Sequence, residues 1–166
     1  MTRADSSPPS RLRRLERARS LANDALASRE RTVAELRGLL ERREVAPETA
    51  DSVVAELLEV GVLDDSRYAR CFTDDRRRLD RWGAERIARD LARRGVDHDL
   101  IEASLADRSS EQELTAALEL LADRFQSLAS DRERDRAWRA LVRRGYAPEL
   151  AYDAVRAHER NASHPR

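Results

Sequence analysis

The chain has 166 residues, of which 39% are charged and 4% aromatic, and its 32 basic side chains balance 32 acidic ones. That length holds one ordinary domain or a short array of small units, and so few aromatics argue against a single thick core. One cysteine excludes an internal disulfide and a multi-cysteine metal site, no apolar run reaches the roughly 18 residues of a membrane span, and the start of the chain lacks the apolar core of a signal peptide. The expected compartment is the cytoplasm. Ala, Leu, Glu and Arg abound and Gly is rare, the composition of an all-α protein. Every basic residue is Arg, whose planar fork suits phosphate and carboxylate, although genome composition alone also produces such a bias.

Residues 1–10 are Ser/Pro-rich and expected to be disordered. Leu15, Ala18, Leu21, Ala22 and Ala25 give an amphipathic helix over Arg11–Ser28. A second helix at about 31–43 carries Val33, Leu36 and Leu40. Pro47 suits the first position of a third, which Gly61 ends. Asp64 is the expected N-cap of a helix reaching about Leu79, with Cys71 as a small buried hydrophobe. A helix at about 82–94 follows, closed by Gly95. Asp97 is expected to cap a short helix through Leu105, and Ser110 with Glu113 to form the capping box of the next. Helices at about 132–144 and 148–159 precede a loose tail.

The helices fall into three sets of three. Leu40–Glu48, Leu91–Asp99 and Leu141–Glu149 align without gaps at spacings of 51 and 50 residues, the mark of stacked repeats. The expected division is a tail at 1–10, repeats at 11–63, 64–108 and 109–160, and a tail at 161–166.

Neutral net charge hides segregation. Residues 76–94 hold eight Arg against three acids and residues 124–144 seven against three, whereas 97–123 hold eight acids and only Arg108. Arg86, Arg89 and Arg93 recur at i, i+3, i+7 on one helix face and align with Arg136, Arg139 and Arg143. The pairs Arg93–Arg94 and Arg143–Arg144 close the second helices. These eight arginines are the candidate contacts for a partner protein or nucleic acid, on stripes expected to lack nearby acid. Trp82 and Trp138 lie at packing spacing. The histidines lack ligand spacing, no Gly-rich phosphate loop occurs, and nothing pairs a nucleophile with a base. No enzyme, metal or cofactor is expected.

Four stretches, Leu26–Leu36, Gly61–Phe72, Trp82–Val96 and Arg143–Ala151, occur in the order found in the RecX family, and the chain resembles that family over about residues 15–157. Departures are Glu44 where the first repeat usually has Gly, and Thr32 where Ser is common. The resemblance implies an elongated, curved array of three-helix repeats, a monomer that binds the RecA recombinase and its DNA filament. It further implies inhibition of strand exchange, ATPase and coprotease activity, hence regulation of DNA repair, homologous recombination and the SOS response. Direct contact with single- or double-stranded DNA is also implied; a membrane is not. The rival reading is an autonomous DNA-binding protein with helix-turn-helix-like repeats, which the acidic third helices disfavour.

Overall fold

The computed structural model describes residues 8–163 and contains nine α-helices and no strand among them. In order these are α1 (Pro8–Ser28), α2 (Val33–Arg42), α3 (Pro47–Glu59), α4 (Asp65–Asp75), α5 (Ala84–Arg93), α6 (His98–Leu105), α7 (Ser110–Arg124), α8 (Asp131–Arg144) and α9 (Pro148–Ser163). A π-helical turn, Arg76–Asp80, extends α4. Segments 1–7 and 164–166, expected to be loose, lie outside the described residues; residues 8–10 and 161–163, also expected loose, are helical.

The chain divides into two compact units, one of residues up to Tyr68 plus Arg94–Asp97 and one of Ala69–Arg93 plus the residues from His98 onward. In the first, the small side chains Ala18, Ala22 and Ala25 let α1 approach Leu36 and Leu40 of α2 and Val53 and Val54 of α3. In the second, Ala117 and Leu121 of α7, Ala137 and Leu141 of α8, and Ala151 and Ala154 of α9 enclose Tyr146. Each such cluster sets small side chains against bulky ones on the facing helix, which brings helices close enough to exclude water. Thr73 and Ser104 are both buried and hydrogen-bonded to each other at 3.1 Å, so neither hydroxyl is left unpaired.

Two expectations are corrected. Cys71 is exposed, because α4 buries Ala69 and Thr73 and a residue midway between them faces the opposite side of the helix. The α7 capping box is Ser109 with Gln112, one residue earlier than Ser110 with Glu113. Glu113 is instead drawn inward, with 8% exposure, to a long-range role described below. Asp64 does cap α4, accepting the Arg67 N–H at 2.9 Å, and Pro47 stands in the first turn of α3.

The second helix of each repeat ends at an equivalent left-handed residue: Glu44 (φ 59°), Gly95 (φ 79°) and Gly145 (φ 89°). Two of these turns receive the start of the preceding repeat's second helix. In the first unit the Thr32 hydroxyl donates to the Arg94 carbonyl at 2.6 Å, the Val33 N–H donates to the Asp65 carboxylate at 2.9 Å, and Ala34 lies over Gly95. In the second unit the Gly83 N–H donates to the Arg144 carbonyl at 2.9 Å, the Glu85 N–H to the Gly145 carbonyl at 3.1 Å, and the Ala84 N–H to Glu113 at 2.9 Å. At both joints a carboxylate from the following repeat's first helix satisfies an N-terminal N–H that the helix itself leaves free.

Candidate partner and nucleic-acid interface

The arginine stripes belong to the second unit and are positioned by its joint. Because Gly83 and Gly145 meet backbone to backbone, the side chain of Arg86 reaches α8 and donates to the Arg143 carbonyl at 3.2 Å. Its guanidinium carbon also lies 3.9 Å from the Trp82 ring centroid, and Arg76 approaches that ring at 5.4 Å. Phe72 meets Trp82 edge-on at 6.5 Å. Trp82 therefore packs between two guanidiniums, and the contact fixes Arg86 by cation–π attraction and a carbonyl, neither of which cancels its charge.

Arg86, Arg89, Arg93 and Arg143 line one open recess of about 500 Å³, whose other lining residues are Asp90 and Ala92. Arg143 also forms a wall of an adjoining recess of about 340 Å³ with Arg124 and Arg136. Arg89 is oriented by the Glu85 carbonyl at 3.3 Å. Five of the eight candidates are thus gathered into two recesses that share a wall. The other three are placed elsewhere. Arg139 is paired with Asp135 at 2.9 Å on its own helix. Arg94 binds Glu35 and the Tyr68 hydroxyl, each at 3.0 Å, inside the first unit's joint. Arg144 donates to the Asp80 carbonyl in the second unit's joint. Arg94 and Arg144 hold helix ends together.

The expected absence of acid along the stripe is also corrected: Asp90 pairs with Arg93, and Asp135 with Arg139, at i+3 and i+4 spacings. Arg124 was missed by sequence reasoning. It ends α7, and the packing of both α7 and α8 on α9 brings it to Arg136 and Arg143; the single signal was its place in a basic last turn.

Burial governs the ionisable groups at the joints. It pushes the Glu35 carboxyl up, but the hydrogen bond and charge of Arg29, the Thr32 N–H and the Arg94 charge outweigh it and hold Glu35 below its ordinary value. Asp65, with no cation of its own, is raised by burial first, against the Val33 N–H, with Asp64 and Glu35 adding to the rise. The Tyr146 phenol is pushed up to about 12, by burial first and then by Glu113, so it stays protonated and donates to the Arg81 carbonyl at 3.2 Å.

Two other recesses offer less to an anion. One of about 540 Å³ sets Arg77, Arg78 and Arg108 against Asp74, Asp107 and Glu119. One between α8 and α9 carries Trp138 and Tyr152 among Arg134, Arg156, Asp131 and Glu159. Both are charge-balanced or nearly so. No group of three metal-ligating side chains occurs among the described residues, and no helix among them is long and apolar enough to cross a membrane.

The architecture defines an all-α protein of tandem three-helix repeats, stitched helix end to helix turn, with one basic face on its second unit. Residues 18–57 match the family model for the first three-helix domain of RecX, and residues 64–105 the model for the second. The Regulatory protein RecX of Deinococcus radiodurans is 37% identical over 150 residues, covering 90% of this chain and 72% of that protein. That of Mycolicibacterium vanbaalenii is 33% identical over 158 residues, covering 90% and 86%. The crystal structure of RecX from Lactobacillus salivarius shares the fold with a TM-score of 0.80 at 16% identity, covering 89% of this chain and 98% of that one. The chain belongs to the RecX family of regulatory proteins.

Proposed function

We propose that this protein binds RecA and RecA–DNA filaments in the cytoplasm and restrains recombinase, ATPase and coprotease activity, acting as a binding regulator of DNA repair and not as an enzyme. Family membership supports RecA as the target. The observation that carries the site is the gathering of Arg86, Arg89, Arg93, Arg136 and Arg143, with Arg124, into adjoining recesses on α5 and α8. A filament presents phosphate and acidic protein side chains along its length, and planar guanidiniums held by carbonyls and an aromatic face keep their charge for such a surface.

The test is to add the full-length protein to preformed RecA–DNA filaments while following ATP hydrolysis. Hydrolysis is expected to fall at stoichiometric protein, and a variant with Arg89, Arg136 and Arg143 all changed to Ala is expected to need about tenfold more, corresponding to about 1.4 kcal/mol of lost contact. Undiminished hydrolysis with the unaltered protein overturns the reading. Tight, sequence-selective binding to naked DNA at physiological salt would favour the autonomous DNA-binding alternative.

A further inference from the structure

Inside the basic recess stands one carboxylate. Asp90 lines it together with Arg86, Arg89, Arg93 and Arg143, and it is paired with Arg93. Its side chain is only 16% exposed while that of Arg93 is 75% exposed, so the carboxylate lies low in the recess and the guanidinium arches over it. The other arginines are oriented differently: Arg86 by a carbonyl and the Trp82 ring, Arg89 by a carbonyl. The adjoining recess of Arg124, Arg136 and Arg143 has no carboxylate in its lining. Asp90 is therefore the one acid that lines either of these two recesses.

We propose that Asp90 is a resident competitor in the α5 recess, holding Arg93 in place of the phosphodiester oxygens of a nucleic-acid backbone and so keeping the recess weak toward nucleic acid on its own. This rests on the reading of the arginine recesses as the partner-binding surface. A carboxylate and a phosphodiester present the same paired oxygens to an arginine fork, so the fork of Arg93 serves one at a time. A phosphodiester backbone fits better than isolated protein carboxylates because the cations form a row, with Arg86, Arg89 and Arg93 along α5 continuing through Arg143 to Arg136 and Arg124. A repeating polyanion can use such a row at several points, and each freed cation adds to the salt dependence of binding.

The experiment measures fluorescence anisotropy of a labelled oligothymidylate with full-length protein over a salt series, for the unaltered chain, Asp90→Asn, Asp90→Ala, Arg93→Ala, the Asp90→Asn/Arg93→Ala double variant, Arg89→Ala and Arg143→Ala. Circular dichroism establishes that each is folded, and the two Asp90 variants guard against misfolding of either one. Removing the carboxylate is expected to tighten binding about threefold to tenfold, and to steepen the logarithmic salt slope by about 0.7 for one added single-strand phosphate contact. The gain should vanish in the double variant. Unchanged affinity for both Asp90 variants, with Arg89→Ala and Arg143→Ala weakened, overturns the competitor and leaves the recess standing. No change in any arginine variant, on oligothymidylate or on RecA filaments, overturns the recess reading itself. A gain on RecA filaments without one on naked oligothymidylate overturns the phosphodiester assignment in favour of protein carboxylates.

Discussion

The two joints solve one problem with different atoms. In the first unit a side chain makes the link: the Thr32 hydroxyl reaches the Arg94 carbonyl while also capping its own helix in a box with Glu35. In the second, Gly83 has no side chain and its backbone N–H reaches the Arg144 carbonyl directly. The first arrangement keeps a hydroxyl between the backbones, so the facing residues need only be small. The second brings the backbones themselves together, and a Cβ added at Gly83 would lie 2.3 Å from the Gly145 carbonyl oxygen. Closer approach is what carries Arg86 onto α8, and with it come the second unit's cation–aromatic stack and adjoining recesses.

The largest test of this comparison is Gly83→Ala or Gly145→Ala. A Cβ at Gly145 would lie 2.2 Å from the Arg86 Cβ and 2.5 Å from its backbone nitrogen, at a φ that L residues rarely adopt. Relief requires the helices to move apart, an overpacking cost of about 3 kcal/mol. Both tryptophans belong to the second unit. Urea unfolding followed by their fluorescence should therefore show a lowered midpoint, and the separated helices should lose the Arg86–Trp82 contact. An unshifted midpoint would show that the backbone approach is not required.

Thr32→Val comes next, at about 1–2 kcal/mol, because it removes one cap and one link to the Arg94 carbonyl without changing side-chain volume. Its effect should appear in far-ultraviolet circular dichroism more than in tryptophan fluorescence, since the first unit contains neither tryptophan.

The carboxylates of the same joint differ in sign. Glu35 is held below its ordinary value, so its contribution is complete above the unfolded carboxyl's titration range and is lost as pH falls through the folded value. Asp65 is raised, so it costs stability once pH rises past its unfolded value, and protonation relieves that cost. Glu35→Gln should lower stability by about 1 kcal/mol at neutral pH, with the difference closing in acid. Asp65→Asn keeps an oxygen for the Val33 N–H and should change stability by less than about 0.5 kcal/mol. A pH series of urea midpoints distinguishes them, and equal losses would break the contrast.

What the sequence made legible was whatever repeats locally. Leu36, Ile87 and Ala137 at aligned positions, and Gly95 and Gly145 at helix ends, are written in period and spacing, and they place the helices within a few residues. The rest depends on neighbours distant in the chain. Arg94 and Arg144 adjoin the stripes as the last residues of the closing pairs, yet they serve the joints, because the next repeat's turn must meet a helix start. Arg124 joins the basic surface through the packing of α7 and α8 on α9. Glu113 looked like a local cap and instead serves a helix 29 residues away. Asp90 was within reach of sequence reasoning, since i to i+3 is helical adjacency.

A further small effect has the opposite sign and concerns the turn against which no helix start packs among the described residues. Glu44 occupies the left-handed position that Gly95 and Gly145 hold in the other repeats, and it is exposed. The Arg43 carbonyl, equivalent to those of Arg94 and Arg144, accepts a long bond from Arg17 at 3.4 Å, where its counterparts accept a helix start. With no helix start among the described residues pressed against it, the turn has room for the exposed Glu44 side chain, and the remaining penalty is backbone strain of about 1–2 kcal/mol. Glu44→Gly relieves that strain but gives the unfolded chain more freedom, which offsets about 0.4–1 kcal/mol. The balance is a gain of about 0.5 kcal/mol, read as a small rise in the circular-dichroism midpoint. Gly95→Glu and Gly145→Glu, at the same φ but against Ala34 and Arg86, should each lose several times that amount. Equal tolerance of glutamate at all three turns would mean that the joints do not select glycine.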